Sequence, residues 1–203
     1  MKPSSVTAAR NRRVGPRDAL LYAAARRILG KCVEARYPMA RRGGLFLVLV
    51  GAGLIAAISL GRDTLVSYPV FFAGLGVAVL SLFLSGRLSD GRPTRAQLLA
   101  LAAALLFEAV LFALLPRLLP PDTSERVRWL WVLTIVGVHF LPMAVSFGPL
   151  FLLLGGACIS NAALGLLLPE VPFALYGVID GALKVFVGVG SLRARPASIA
   201  PPV

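Results

Sequence analysis

The sequence is poor in acidic residues, histidine and cysteine, and each shortage excludes a class of protein. Nine Asp and Glu stand against 21 Lys and Arg among 203 residues, which gives a formal net charge of +12. The single histidine excludes three-histidine zinc sites, because catalytic zinc usually takes three protein ligands. Of the two cysteines, Cys32 follows a basic segment and Cys158 lies in an apolar run, so we expect no disulfide framework.

Long apolar runs are abundant. The chain is 58% hydrophobic with a mean hydropathy of +0.83, whereas soluble domains are about 45–50% apolar. A run of about 18 apolar residues is long enough to cross a bilayer core of roughly 30 Å. The sequence therefore predicts an all-α integral membrane bundle of six transmembrane helices, at about 45–60, 68–84, 98–115, 129–146, 150–168 and 171–192.

Basic residues are concentrated before the first span, where eleven of the 21 Lys and Arg precede residue 43. Six spans place both termini on one side, and that side carries sixteen basic residues against four on the other. The positive-inside rule then predicts that both termini are cytoplasmic. We expect residues 1–44 to be a basic, partly disordered arm and residues 193–203 to be a disordered tail.

The basic arm could bind a partner or remain free in the cytosol. An amphipathic helix at 18–37 would either lie on anionic lipid headgroups or remain solvated in the cytosol. Nucleic-acid binding is disfavoured, because the basic residues abut an apolar run and no nucleic-acid-binding fold is recognisable. The lipid bilayer is the expected partner, and a homo-oligomer is left open.

Ionisable side chains occur deep within the predicted spans, where each costs roughly 2.5–3.5 kcal/mol to insert. At about 1.5 Å per residue, polar residues on four different spans fall close to the same depth. We therefore predict one shared intramembrane polar cluster of Glu108, His139, Asn161, Asp180 and Lys184.

The last predicted span combines a charged pair with a stripe of glycines. Asp180 and Lys184 are four residues apart and can pair along the helix. Gly177, Gly181 and Gly188 lie on the same face and predict close helix packing, for which the fifth span is the expected partner. The charged pair could equally be a neutralising element that serves packing alone.

The segment around the histidine contains a helix breaker. Pro142 cannot donate a hydrogen bond to the Val138 carbonyl, so a kink or an opening is expected beside His139. Glu108 and Asp180 are both candidate partners for the imidazole. A histidine that only satisfies its neighbours and one that relays protons or contacts a ligand both remain open. The join at 146–149 could be a simple turn or a re-entrant break.

The segment Gly137-Val-His-Phe-Leu-Pro142, followed by Gly148-Pro149 and Asp180-Gly181, resembles part of certain small multi-pass bacterial membrane proteins. These proteins are grouped as families of unknown function. The resemblance extends over residues 129–192. It implies an integral membrane fold to which no activity is assigned.

Three functions follow from these patterns. The leading hypothesis is a non-enzymatic multi-pass protein of the plasma membrane, with no catalytic residue, metal or cofactor. The alternative is a small proton-coupled transporter that uses the polar cluster. The order of the spans would fit an inverted three-plus-three repeat, an arrangement that many transporters have. The third is a membrane-embedded enzyme, which is disfavoured because Ser160 has no G-x-S-x-G turn around it.

Overall fold

The structure is a computed structural model that describes residues 37–61, 65–89 and 92–193. The predicted amphipathic helix, most of the basic arm and all of the tail beyond residue 193 lie outside the described residues. Within them the chain is helical and has no strand. The elements are α1 (Ala40–Ser59), α2 (Tyr68–Leu84), a 3₁₀ turn (Gly86–Leu88), α3 (Arg95–Leu118), α4 (Glu125–Phe147), α5 (Pro149–Leu167) and α6 (Phe173–Arg193).

Five of the six helices are long enough and apolar enough to cross a membrane, and α2 is an apolar helix of 17 residues. Large apolar side chains are exposed along α2 to α6, including Phe83 at 77% and Phe186 at 80% of their accessible surface. Soluble monomers rarely expose apolar patches larger than about 300–600 Å². This surface is suited to a lipid environment.

Two helices begin before their apolar segments because polar residues cap them. Thr94 and Gln97 form a capping box, in which the Thr94 hydroxyl accepts from the Gln97 amide at 3.2 Å. The Ser124 hydroxyl accepts from the Val127 amide at 3.4 Å. As a result α3 begins at Arg95 and α4 begins at Glu125, both earlier than the hydrophobic pattern predicted. The bounds of α2 are those predicted.

The segment containing the histidine is a continuous helix followed by a tight turn. Pro142 lies inside α4, which continues to Phe147 without an opening. Gly148 has a φ of 104°, a conformation that favours glycine, and its amide donates to the Ala144 carbonyl at 2.9 Å. Pro149 then begins α5. The join is therefore a simple turn and not a re-entrant segment.

The helices pack side by side in the order α2, α1, α6, α5, α4, α3, and α1 also touches α4. The outermost helices, α2 and α3, are mostly exposed and do not pack against each other. The glycine face of α6 packs against α1 and not against the fifth span, which corrects the partner that we expected. Gly188 lies against Gly44, and Gly177 lies against Ile58.

The buried apolar side chains form two clusters at opposite ends of the bundle. One includes Trp129, Leu133 and Tyr176, and the other includes Phe140, Phe147 and Phe151. Along α6, the buried charges of Asp180 and Lys184 lie between the residues that belong to the two clusters. The fold therefore holds its ionisable centre between two apolar layers.

Candidate functional site: an elongated cavity with two acid–base pairs

A cavity of about 760 Å³ lies among α1, α2, α3 and α4, and it is lined mainly by apolar and aromatic side chains. Its lining residues on α4 extend from Arg128 to Phe147, which is ~28 Å of helix at 1.5 Å per residue. The cavity is therefore elongated parallel to the helices. Phe151 on α5 and the charged pair of α6 complete its inner wall.

The cavity opens sideways between α2 and α3. Phe72 and Phe83 of α2 line it while being 61% and 77% exposed, and Leu105 of α3 lines it at 49% exposure. Because these two helices do not pack against each other, their exposed lining residues form the mouth of the cavity. A molecule in the surrounding lipid could enter there.

An aromatic cluster lies at one end of the cavity. The rings of Tyr68 and Phe71 each lie 5.5 Å from the Trp129 ring, measured between centroids. The Tyr68 hydroxyl also donates to Glu125 Oε1 at 3.2 Å, which joins α2 to the start of α4. Near the other end, the Arg42 guanidinium donates to the Leu82 carbonyl and joins α1 to α2.

The first charged pair is formed by Asp180 and Lys184, one turn apart on α6. Their side chains are 0% and 1% exposed, and Asp180 Oδ2 contacts Lys184 Nζ. The ammonium group also lies 3.9 Å from Cys158 Sγ on α5 and 5.7 Å from the centroid of the Phe140 ring. Asp180 Oδ1 is buried and has no hydrogen-bond donor among the described residues.

The second acid–base pair joins α3 to α4. His139 Nδ1 lies 3.3 Å from Glu108 Oε1, and the two side chains are 6% and 19% exposed. Both residues line the cavity. The Lys184 charge is close enough to act on each of them electrostatically. The four ionisable residues of the predicted cluster therefore surround one cavity on three helices.

Asn161 is separate from this arrangement. Its side-chain amide donates to the Tyr176 carbonyl at 2.8 Å and so joins α5 to α6. The Tyr176 hydroxyl in turn donates a hydrogen bond of 3.4 Å to the Leu164 carbonyl on α5. Asn161 does not line the cavity, so its similar depth in the membrane does not place it beside the charged pairs.

Several residues that shape the site carried little signal in the sequence. Cys158 was visible only as a cysteine in an apolar run, yet it contacts Lys184. Trp129 lies near the start of a predicted span, and the structure buries it to 6% exposure at the border of the cavity. Within the part of the chain that the structure describes, no three His, Cys, Asp or Glu side chains are grouped to hold a metal ion.

Together, the apolar helices and the charges sheltered among them indicate a helical membrane protein. No curated protein and no solved structure matches the chain. A protein-family comparison matches residues 30–198, which is most of the chain. The protein belongs to this family, described as "Family of unknown function (DUF6609)".

Proposed function

We propose that this protein is a non-enzymatic, six-span protein of the plasma membrane that binds an amphipathic molecule drawn from the bilayer. The observation that carries the proposal is one elongated cavity, open sideways, whose wall contains two acid–base pairs, one fully buried and one partly exposed. Its volume of about 760 Å³ lies within the roughly 300–1,000 Å³ range of small-molecule sites. Its apolar lining suits a hydrocarbon tail.

The placement of the charges supports a binding role over a purely structural one. Ionisable side chains within a membrane are costly, and they commonly mark substrate or proton pathways. Here both pairs border the cavity, and the Glu108 side chain remains 19% exposed. Pairs that only held helices together would not need to border an open cavity.

A proton-coupled carrier is the second candidate, and the Glu108–His139 contact favours it. His139 Nδ1 and Glu108 Oε1 lie 3.3 Å apart without a hydrogen bond between them. A carboxyl group and an imidazole this close can hold one proton in two ways, as an ion pair or as a neutral acid and base. Both arrangements have the same net charge. A proton can therefore move within the pair without leaving an uncompensated charge in the membrane.

The proposal includes a topology in which all six helices span the membrane and both termini are cytoplasmic, with the basic arm against anionic headgroups. The 17 residues of α2 give ~25 Å of helix, slightly less than the core of a typical bilayer. Fusion of a fluorescent reporter or of alkaline phosphatase to the C-terminus tests the topology. We expect fluorescence and no phosphatase activity, and the reverse result would overturn this orientation.

The two tryptophans of the chain allow a direct test of binding, because one borders the cavity and the other does not. Trp129 is 6% exposed, whereas Trp131 is 40% exposed and is not among the lining residues. The W131F and W129F variants each retain one fluorophore. In proteoliposomes, the quencher is the methyl ester of a stearic acid that carries a nitroxide on carbon 12.

We expect Trp129 fluorescence to be quenched saturably at low quencher content, and Trp131 fluorescence to fall only in proportion to that content. A Val136→Phe change, which adds bulk to the lining, should weaken the saturable quenching. Val145→Phe is the matched control on the same helix, because Val145 is 52% exposed and does not line the cavity. Identical, non-saturable quenching of both tryptophans would exclude the binding site.

A further inference from the structure

We infer that the cavity is selective for single-chain amphiphiles with a carboxyl head group, and that binding of each carboxylate takes up one proton. This inference rests on the proposed function. It follows from the buried Asp180–Lys184 pair beside the cavity, in which one acceptor has no partner and the ammonium group has one oxygen partner among the described residues.

The first unfilled capacity is an acceptor. Asp180 Oδ2 contacts Lys184, but the buried Oδ1 has no donor among the described residues. A buried acceptor without a partner costs about 1–3 kcal/mol, and more when the group is charged. A ligand that brings an O–H group to Oδ1 would recover this energy.

The second unfilled capacity is a donor. The Lys184 ammonium group has three N–H donors, and it contacts Asp180 Oδ2, the Cys158 sulfur at 3.9 Å and the face of the Phe140 ring at 5.7 Å, so Asp180 is its only oxygen partner among the described residues. A thiol sulfur is a weak acceptor. The ammonium group can therefore still donate a strong hydrogen bond to an oxygen of a ligand.

A carboxylic acid group matches both capacities at once. Its carbonyl oxygen would accept from Lys184 Nζ, and its O–H would donate to Asp180 Oδ1. The arrangement of Asp⁻, Lys⁺ and a neutral acid leaves the net charge of the pair unchanged. A carboxylate without a proton would instead place two negative charges beside one ammonium group, which is unfavourable in a low-dielectric site.

The proton balance follows from this charge balance. A ligand that is ionised in water must gain one proton on entering, and that proton is then shared between its carboxyl oxygen and Asp180 Oδ1. The other titratable groups around the pair are Cys158 on α5, His139 on α4 and Glu108 on α3. Two further cations line the cavity, Arg42 at the start of α1 and Arg128 at the start of α4, and the only titratable side chain of α2 is Tyr68.

The proton is taken up from solvent together with the ligand, so the uptake balances without a change in the protonation of the Glu108–His139 pair. Glu108 is the most exposed of the four ionisable residues and lies on α3 at the open side of the cavity. No oxidant, reductant or other reactant is required.

The test compares oleate with its methyl ester on the purified full-length chain in nanodiscs. Each competes with the nitroxide-labelled methyl ester for quenching of Trp129 in the W131F variant. We expect oleate to bind at least ~10-fold more tightly, the ratio that corresponds to about 1.4 kcal/mol. Equal affinities with saturable quenching would overturn the carboxyl selectivity and leave the binding function intact. The absence of saturable quenching would overturn the binding function itself.

Proton uptake is measured on the unmodified protein by calorimetry at pH 9 in two buffers of different ionisation enthalpy. We expect about one proton taken up per oleate bound, and about zero for the methyl ester. Asp180→Asn should bind oleate with about zero uptake, because Lys184 then pairs with the carboxylate directly. About zero uptake by the unmodified protein on binding oleate would overturn the proton linkage, whether or not the variant folds.

Discussion

Gly51 of α1 and Gly181 of α6 lie backbone to backbone at the centre of the bundle. A Cβ atom added to Gly51 would lie 2.5 Å from the Gly181 carbonyl oxygen, and one added to Gly181 would lie 2.8 Å from the Gly51 carbonyl oxygen. Neither backbone can accommodate a side chain without separating the helices. This contact brings α1 against the helix that carries Asp180 and Lys184.

Gly51→Val should therefore destabilise the bundle. Overpacking of a well-packed interior typically costs about 1–3 kcal/mol, and here the obstacle is main chain that cannot rotate away. The matched control is Gly156→Val on α5, where an added Cβ meets nothing within 4 Å. Thermal unfolding in detergent, followed by size-exclusion chromatography, should show a lower midpoint for Gly51→Val alone. Equal midpoints would contradict the close contact of α1 with α6.

The Asp180–Lys184 pair should behave as a coupled unit. Removing one partner of a buried ion pair typically costs about 3–5 kcal/mol, because the other charge is left uncompensated, whereas replacing both can be nearly neutral. We expect Asp180→Asn and Lys184→Met each to lower the unfolding midpoint strongly, and the double variant to recover most of the loss. Simple additivity of the two losses would show that the side chains do not stabilise each other.

Arg126, at the start of α4, forms hydrogen bonds to the end of α5 and to the turn that follows it. Its guanidinium donates to the carbonyls of Gly165, Leu168 and Val171 at 2.9, 3.0 and 2.5 Å. Hydrogen bonds that involve a charged group contribute about 1.5–3 kcal/mol each. Arg126→Met should therefore cost at least ~1.5 kcal/mol in thermal or denaturant unfolding. Arg117→Met, at an exposed position on α3, is the control and should have little effect.

The capping box of α3 should control the stability of its first turn. Loss of a threonine N-cap costs about 0.5–2 kcal/mol, and Thr94 accepts from the Gln97 amide. Thr94→Ala should accelerate hydrogen exchange at the amides of residues 95–98. Thr134→Ala is the comparison, since the Thr134 hydroxyl bonds only to the Leu130 carbonyl within α4. Unchanged exchange in the first turn of α3 would argue against the cap.

The sequence predicted the positions of the helices better than it predicted the contacts between them. The bounds of α2 coincide with an apolar run because polar residues flank that run on both sides. At Thr94 and Ser124 the prediction began too late, because a capped first turn contains polar residues that hydropathy does not detect. Equal depth indicated that Glu108 and His139 could meet, since they lie at similar heights on successive spans.

The cavity itself was not predictable from the chain. It exists because α2 and α3 do not pack together, and this depends on the lateral order of all six helices. The position of a residue along its helix predicts how deep the residue lies in the membrane, but it does not predict which neighbouring helix the side chain faces. For this reason Asn161, at a similar depth, contacts the Tyr176 backbone and does not join the charged pairs.

The attachment of α2 and α3 has a consequence for selectivity. Each outer helix packs mainly against one neighbour, α2 against α1 and α3 against α4. The other four helices pack in the order α1, α6, α5, α4 and form the central part of the bundle. Asp180 and Lys184 are therefore held by contacts of α6 with α1 and α5, and the outer helices α2 and α3 supply mainly the apolar wall of the cavity. A binder built in this way would be strict about the chemistry of a head group and tolerant of the length and branching of the tail behind it.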